Sequence, residues 1–103
     1  MPLSNPITIN IPSSAGATST LTTVASAITS TAILPVNAAR KDVKIFNNST
    51  SRLYLAFGVT ASVAGFTVLL EAGGFYEMAI AYTGAISGIW IAANGNALVT
   101  ELT

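Results

Sequence analysis

The sequence predicts an all-β fold: a compact β-sandwich or jelly-roll-like barrel of about eight short antiparallel strands. Three observations predict it. Apolar and polar residues alternate over short runs, as in Val43, Ile45 against Asp42, Lys44, Phe46. Turn formers punctuate these runs at intervals of about ten residues, and no segment sustains a helical period. A chain of 103 residues has enough length for one core and not for two. We expect an extended N-terminal arm and loop over 1–19, then a single all-β domain over 20–103.

The elements follow in order. Pro2, Pro6 and Pro12 disfavour helix at the start. Ile7, Ile9 and Ile11 alternate with Thr8 and Asn10, the pattern of a short strand or extended arm. Residues 13–20, with Gly16 inside, are a loop. Leu21 to Ser26 and Ile28 to Leu34 are rich in Thr, Val and Ile. That β-branched density favours two strands over the helix that the alanines would otherwise allow. Pro35 ends the run.

Residues 41–46 and 52–57 alternate strictly around Asn47-Asn48-Ser49-Thr50-Ser51, and predict a β-hairpin about a polar loop. Residues 58–65 are a loop or short edge segment. Phe66 to Glu71 and Phe75 to Ile80 are strands about Gly73-Gly74, which places Glu71 opposite Tyr76 if the glycines form the tight turn. Ile86 to Ala92 puts Ile89 and Ile91 on one face and Trp90 on the other. Asn94-Gly95 is a two-residue hairpin signal. Leu98 to Leu102 closes the chain.

Composition narrows the function. Charged residues are 8% of the chain, against roughly 25% in a typical soluble domain. So few charges, with a net charge of zero, favour self-association. All four basic residues, Arg40, Lys41, Lys44 and Arg52, fall in one segment with a single acid, Asp42, while Glu71, Glu77 and Glu101 come later. A basic edge meeting an acidic patch on a neighbouring subunit is one reading, and a solvated hairpin the other. Nucleic-acid binding is not expected, because no net positive field exists to attract phosphates.

Catalytic groups are scarce. Without histidine or cysteine there is no imidazole base, thiol nucleophile, disulfide or zinc-finger ligand set. Glu71 and Glu77 are the only neighbouring acids outside the basic segment, and two strand-surface carboxylates explain them without invoking glycosidase chemistry. Gly73-Gly74 lacks the phosphate-loop lysine. We expect no enzyme, no cofactor and no metal site. Tyr54, Tyr76, Tyr82 and Trp90 could form a sugar-stacking surface, but core or subunit-interface roles are favoured. Residues 53–70 and 78–100 are uncharged and long enough to cross a bilayer. Glycine, threonine and asparagine break them into runs suited to strands, so no membrane span is expected. Nor does the N-terminus have the basic start and apolar stretch of a secretory signal.

The stretch Ala39-Arg40-Lys41-Asp42-Val43-Lys44-Ile45-Phe46-Asn47-Asn48-Ser49, running into Leu53-Tyr54-Leu55-Ala56-Phe57-Gly58, resembles a pattern of small virion proteins of tailed bacteriophages and cyanophages. Residues 82–90 and 99–102 are similar to the closing hairpin of the same group. The resemblance, which covers roughly residues 20–103, points to the capsid decoration, or cement, type. It implies a structural protein on the outer capsid surface, assembled in the host cytoplasm. Its partners would be the major capsid protein and itself, with a homotrimer favoured. A tail, neck or fibre-attachment role is the alternative. The candidate interface then comprises Ile7, Ile9 and Ile11 as apolar pegs of an arm that adds a strand to a neighbour. It also includes Arg40, Lys41, Lys44 and Arg52, with the aromatics Tyr82 and Trp90.

Overall fold

The structure, a computed structural model, describes residues 18–79 and 82–103. Among them are eight strands: β1 (Ser19–Ala25), β2 (Thr31–Leu34), β3 (Asp42–Asn48), β4 (Leu53–Phe57), β5 (Val68–Leu70), β6 (Phe75–Glu77), β7 (Ile86–Trp90) and β8 (Asn96–Leu102). They form two four-stranded sheets. Sheet A has the order β1-β8-β3-β6 and sheet B the order β2-β7-β4-β5. Every pairing is antiparallel. β1 pairs with β8, β2 with β7, β3 with β6 and β4 with β5, so the chain forms a long folded ribbon. The ribbon then wraps until β8 meets β3 and β7 meets β4. This wrapping is that of a jelly roll.

The expected all-β class therefore holds, and the strands fall close to their expected positions. The expected hairpins do not. β3 and β4 lie in different sheets, as do β5 and β6, and β7 and β8. The polar segment after β3, the Gly73-Gly74 turn and the Asn94-Gly95 turn each carry the chain from one sheet to the other. Only β4 and β5 are consecutive in sequence and also paired. Glu71 is consequently not opposite Tyr76, which pairs with Ile45. At Glu71 to Gly74 the Gly74 N–H donates to the Glu71 carbonyl at 2.8 Å. Gly73 sits third in this turn with φ of 75°, the left-handed value that a type II turn requires and glycine supplies.

The core lies between the sheets. Val43 and Ile45 of β3, Ala97 and Val99 of β8, Leu53 and Leu55 of β4, and Ile86 and Trp90 of β7 are all buried there, with Ile33, Leu34, Leu70 and Met78. Period-two alternation produces this directly, since every second residue of a strand points to the same face. Gly88 of β7 also lies on the inner face. A Cβ there would come within 3.0 Å of Leu53 Cδ1 and 3.1 Å of Ile33 Cδ1, so the missing side chain is the room these two occupy. At Thr18, the first described residue, the carbonyl accepts from the Thr103 N–H at 2.8 Å. The candidate arm residues Ile7, Ile9 and Ile11 lie outside the described residues.

Candidate functional site

The charges predicted to form a basic edge are mostly spent within the chain. The fold brings the late acids back onto the basic segment because β3 lies between β8 and β6. Arg40 Nε donates to Glu101 Oε2 at 2.8 Å, Lys44 Nζ to Glu77 Oε1 at 2.7 Å and to Asp42 Oδ2 at 2.9 Å, and Arg52 Nε to Glu71 Oε1 at 3.1 Å. All four acids are thereby paired. Hydrogen bonds to Glu77 first, and then to Asp42, hold the Lys44 ammonium above its ordinary range. The bond to Glu71 does the same for Arg52. The Lys44–Glu77 and Arg52–Glu71 pairs are solvent-exposed and contribute little to stability. Lys41 enters no ion pair among the described residues and remains exposed.

Arg40 is different. It is only 2% exposed. Besides Glu101, its guanidinium donates to the carbonyls of Tyr82 at 2.8 Å, Gly84 at 2.7 Å and Pro35 at 2.6 Å. The fork of donors thus ties the end of β8 to the segments flanking β2 and β7, and arginine's fixed geometry suits several acceptors at once. Trp90 is 1% exposed, and its indole Nε1 donates to Asn47 Oδ1 at 3.1 Å. Neither Arg40 nor Trp90 presents a side chain to a partner, so both leave the candidate interface. Tyr82 is half-buried, stacked on Phe57 at 4.7 Å and 10° between ring planes. Its hydroxyl donates to the Ala85 carbonyl at 3.1 Å. Tyr54 is also buried, so these rings do not together form an exposed sugar-stacking platform. Tyr76 faces the same cluster, 6.1 Å from Phe57, and burial pushes its phenol above the usual range.

The exposed apolar surface lies elsewhere. The segment 58–67 between β4 and β5 folds back over the outer face of sheet B. Its Ala61 N–H donates to Ser30 Oγ at 2.9 Å, and Phe66 meets the Tyr54 ring edge-on at 4.8 Å. Ser62 and Gly65 bond to each other at 3.2 Å in both directions, closing a tight turn. Beneath this strap Tyr54, Ala56 and Ser87 are buried, and so is the strap's own Ala61. Its outer side shows Val59, 83% exposed, with Val63 and Phe66, and the neighbouring Leu69 of β5 is exposed as well. The sequence offered one signal for this patch: Val59, Val63 and Phe66 are apolar residues within a turn-rich loop.

Among the described residues no cavity opens, and no three metal-ligating side chains gather. No helix among them is long and apolar enough to cross a membrane. Comparison of the chain with protein-family models, with curated proteins and with solved structures found no match.

Proposed function

We propose that this protein is a structural component of a phage virion, a decoration or cement protein that binds the outer surface of the head and bridges major capsid proteins. The observation that carries the reading is the strap over sheet B. It is anchored at Ser30 and Tyr54 yet turns Val59, Val63 and Phe66 to solvent. A fixed apolar patch on a small charge-poor sandwich suits docking onto a broad protein surface. The phage setting comes from the resemblance of residues 39–58, 82–90 and 99–102. Residues 1–19, with Ile7, Ile9 and Ile11, would add an extended arm that augments a neighbour's sheet edge. Many such modest contacts acting in parallel would resist the pressure inside the head.

Two measurements test this. Mass spectrometry of purified virions should find the protein at a copy number comparable to the major capsid protein. A low copy number would move it to the tail or neck, and absence from virions would sink the reading. Co-sedimentation with heads should weaken on deletion of residues 1–12, and also in Val59→Asp and Val63→Asp, two exposed positions that anchor nothing. None of these changes touches a described strand, so each variant should keep its fold.

A further inference from the structure

β1 is an edge strand unlike the other three. β2, β5 and β6 have four, three and three residues. β2 is also interrupted by a register shift, and β6 carries the ion-paired Glu77. Short, charged or irregular edges are how sheets avoid joining one another. β1 has seven residues, Ser-Thr-Leu-Thr-Thr-Val-Ala, with no charge, no proline and no bulge along its pairing to β8. Most of it is exposed on both faces, Leu21 by 67%.

The hydrogen bonds define which groups are open. Ser26 N–H donates to the Gly95 carbonyl, and Thr103 N–H to that of Thr18. In an antiparallel pair the bonded residues alternate. Thr20, Thr22 and Val24 therefore turn their N–H and C=O groups toward β8. Ser19, Leu21, Thr23 and Ala25 turn theirs outward, and no described residue meets them.

We infer that β1 pairs with β1 of a second copy of this chain, joining two A sheets into one continuous eight-stranded sheet. The edge is self-complementary. Running antiparallel about a twofold axis at Thr22, Ser19 faces the partner's Ala25 and Leu21 faces the partner's Thr23. Each outward group then meets its opposite. Four facing pairs with two bonds in each make eight hydrogen bonds. Thr22 faces its own counterpart, and like threonines are a favourable cross-strand pair. No charge on β1 opposes the approach. The pairing is twofold, so it departs from the trimer that the resemblance implies, and it does not depend on where the protein acts.

The chain has no cysteine, which makes a crosslinking test clean. In full-length Thr22→Cys, the two thiols would face each other in a non-bonded pair, about 4.5 Å apart at Cα, within disulfide reach. Under mild oxidation the linked dimer should form roughly tenfold or more faster than in Thr20→Cys, whose thiols lie four positions out of register. Thr23→Pro removes an outward N–H without touching the β8 ladder, and should convert the native dimer to a folded monomer in sedimentation velocity. Equal crosslinking at the two positions, or a native protein that sediments as a monomer or trimer, would overturn the inference. So would a Thr22→Cys protein that links only after residues 1–17 are removed, since the edge would then belong to the chain's own N-terminal segment. Crosslinking in a protein that never binds heads would keep this inference and sink the virion reading alone.

Discussion

Asn47 and Trp90 meet in the core, where the indole Nε1 donates to Asn47 Oδ1 at 3.1 Å with both side chains buried. The same oxygen accepts from Ser49 Oγ at 2.8 Å. The Asn47 amide donates to the carbonyls of Ser51 at 2.7 Å, Glu71 at 3.0 Å and Leu70 at 3.2 Å. One side chain thus joins sheet A to Trp90 of sheet B and ties down two of the inter-sheet crossings. Asn47→Ala would strand several buried groups and should cost about 3 kcal/mol in urea unfolding followed by the single tryptophan's fluorescence. Asn47→Asp turns a donor into an acceptor facing three carbonyls, so its folded carboxyl titrates above the unfolded one. Its stability should be highest at acid pH and fall as pH rises above about 4. A pH-independent variant would show that this amide is not the corner's fastener.

Arg40→Ala should cost about 3 to 5 kcal/mol, because it leaves Glu101 and three carbonyls without their donor. Arg40→Lys keeps the charge but cannot span four acceptors on three segments, and should lose most of the same stability. A lysine variant with a wild-type urea midpoint would mean that charge alone suffices here.

Gly88→Ala should destabilise by about 1 to 3 kcal/mol through overpacking against Leu53 and Ile33. Adding Ile33→Val opens space beside the new methyl. A double-mutant cycle should then return a favourable coupling of about 0.5 kcal/mol or more. Strict additivity would place the strain elsewhere.

Ser87 Oγ is buried beneath the strap without a hydrogen-bond partner among the described residues. Ser87→Ala removes that unpaired hydroxyl and leaves the packing nearly unchanged. Thermal unfolding should show an unchanged or stabilised protein, by up to about 1 kcal/mol. A clear loss would reveal a partner for this hydroxyl.

Alkaline stability should report on Tyr76. Its folded phenol is raised by burial, and Lys44 is raised by its two carboxylates. In each case the folded state holds its proton longer than the unfolded chain. The stabilisation is complete below the unfolded values, near pH 10, and drains away as pH climbs through the folded ones. Tyr76→Phe, which cannot ionise, should flatten the unfolding curve above pH 10 by denaturation at stepped pH. An unaltered alkaline limb would exclude Tyr76 as a source.

The inward faces of the strands were legible in the sequence. Val43 with Ile45, and Leu53 with Leu55, were placed together by alternation and are together in the core. The candidate site was less legible. Arg40 looked like a surface charge because a sequence shows the charge and not the four acceptors that converge on it. Trp90 looked like an interface aromatic because the partner that satisfies its N–H lies forty-three positions away. The strap and the open β1 edge have no motif. Each is defined by what packs on it and what does not.

The class, the strands and the points where the chain turns are encoded locally. These depend on local alternation, β-branched density and turn residues, all read within a few positions. Which strands become neighbours depends on packing across the whole fold. Three turns that resemble hairpin turns instead lead from one sheet to the other. A turn former states that the chain reverses, but not which edge the next strand joins. That choice belongs to the burial of whole faces against each other, with β8 between β1 and β3 and β7 between β2 and β4. It also settles the charges, because acids distant in sequence return beside the basic segment only once the ribbon has wrapped.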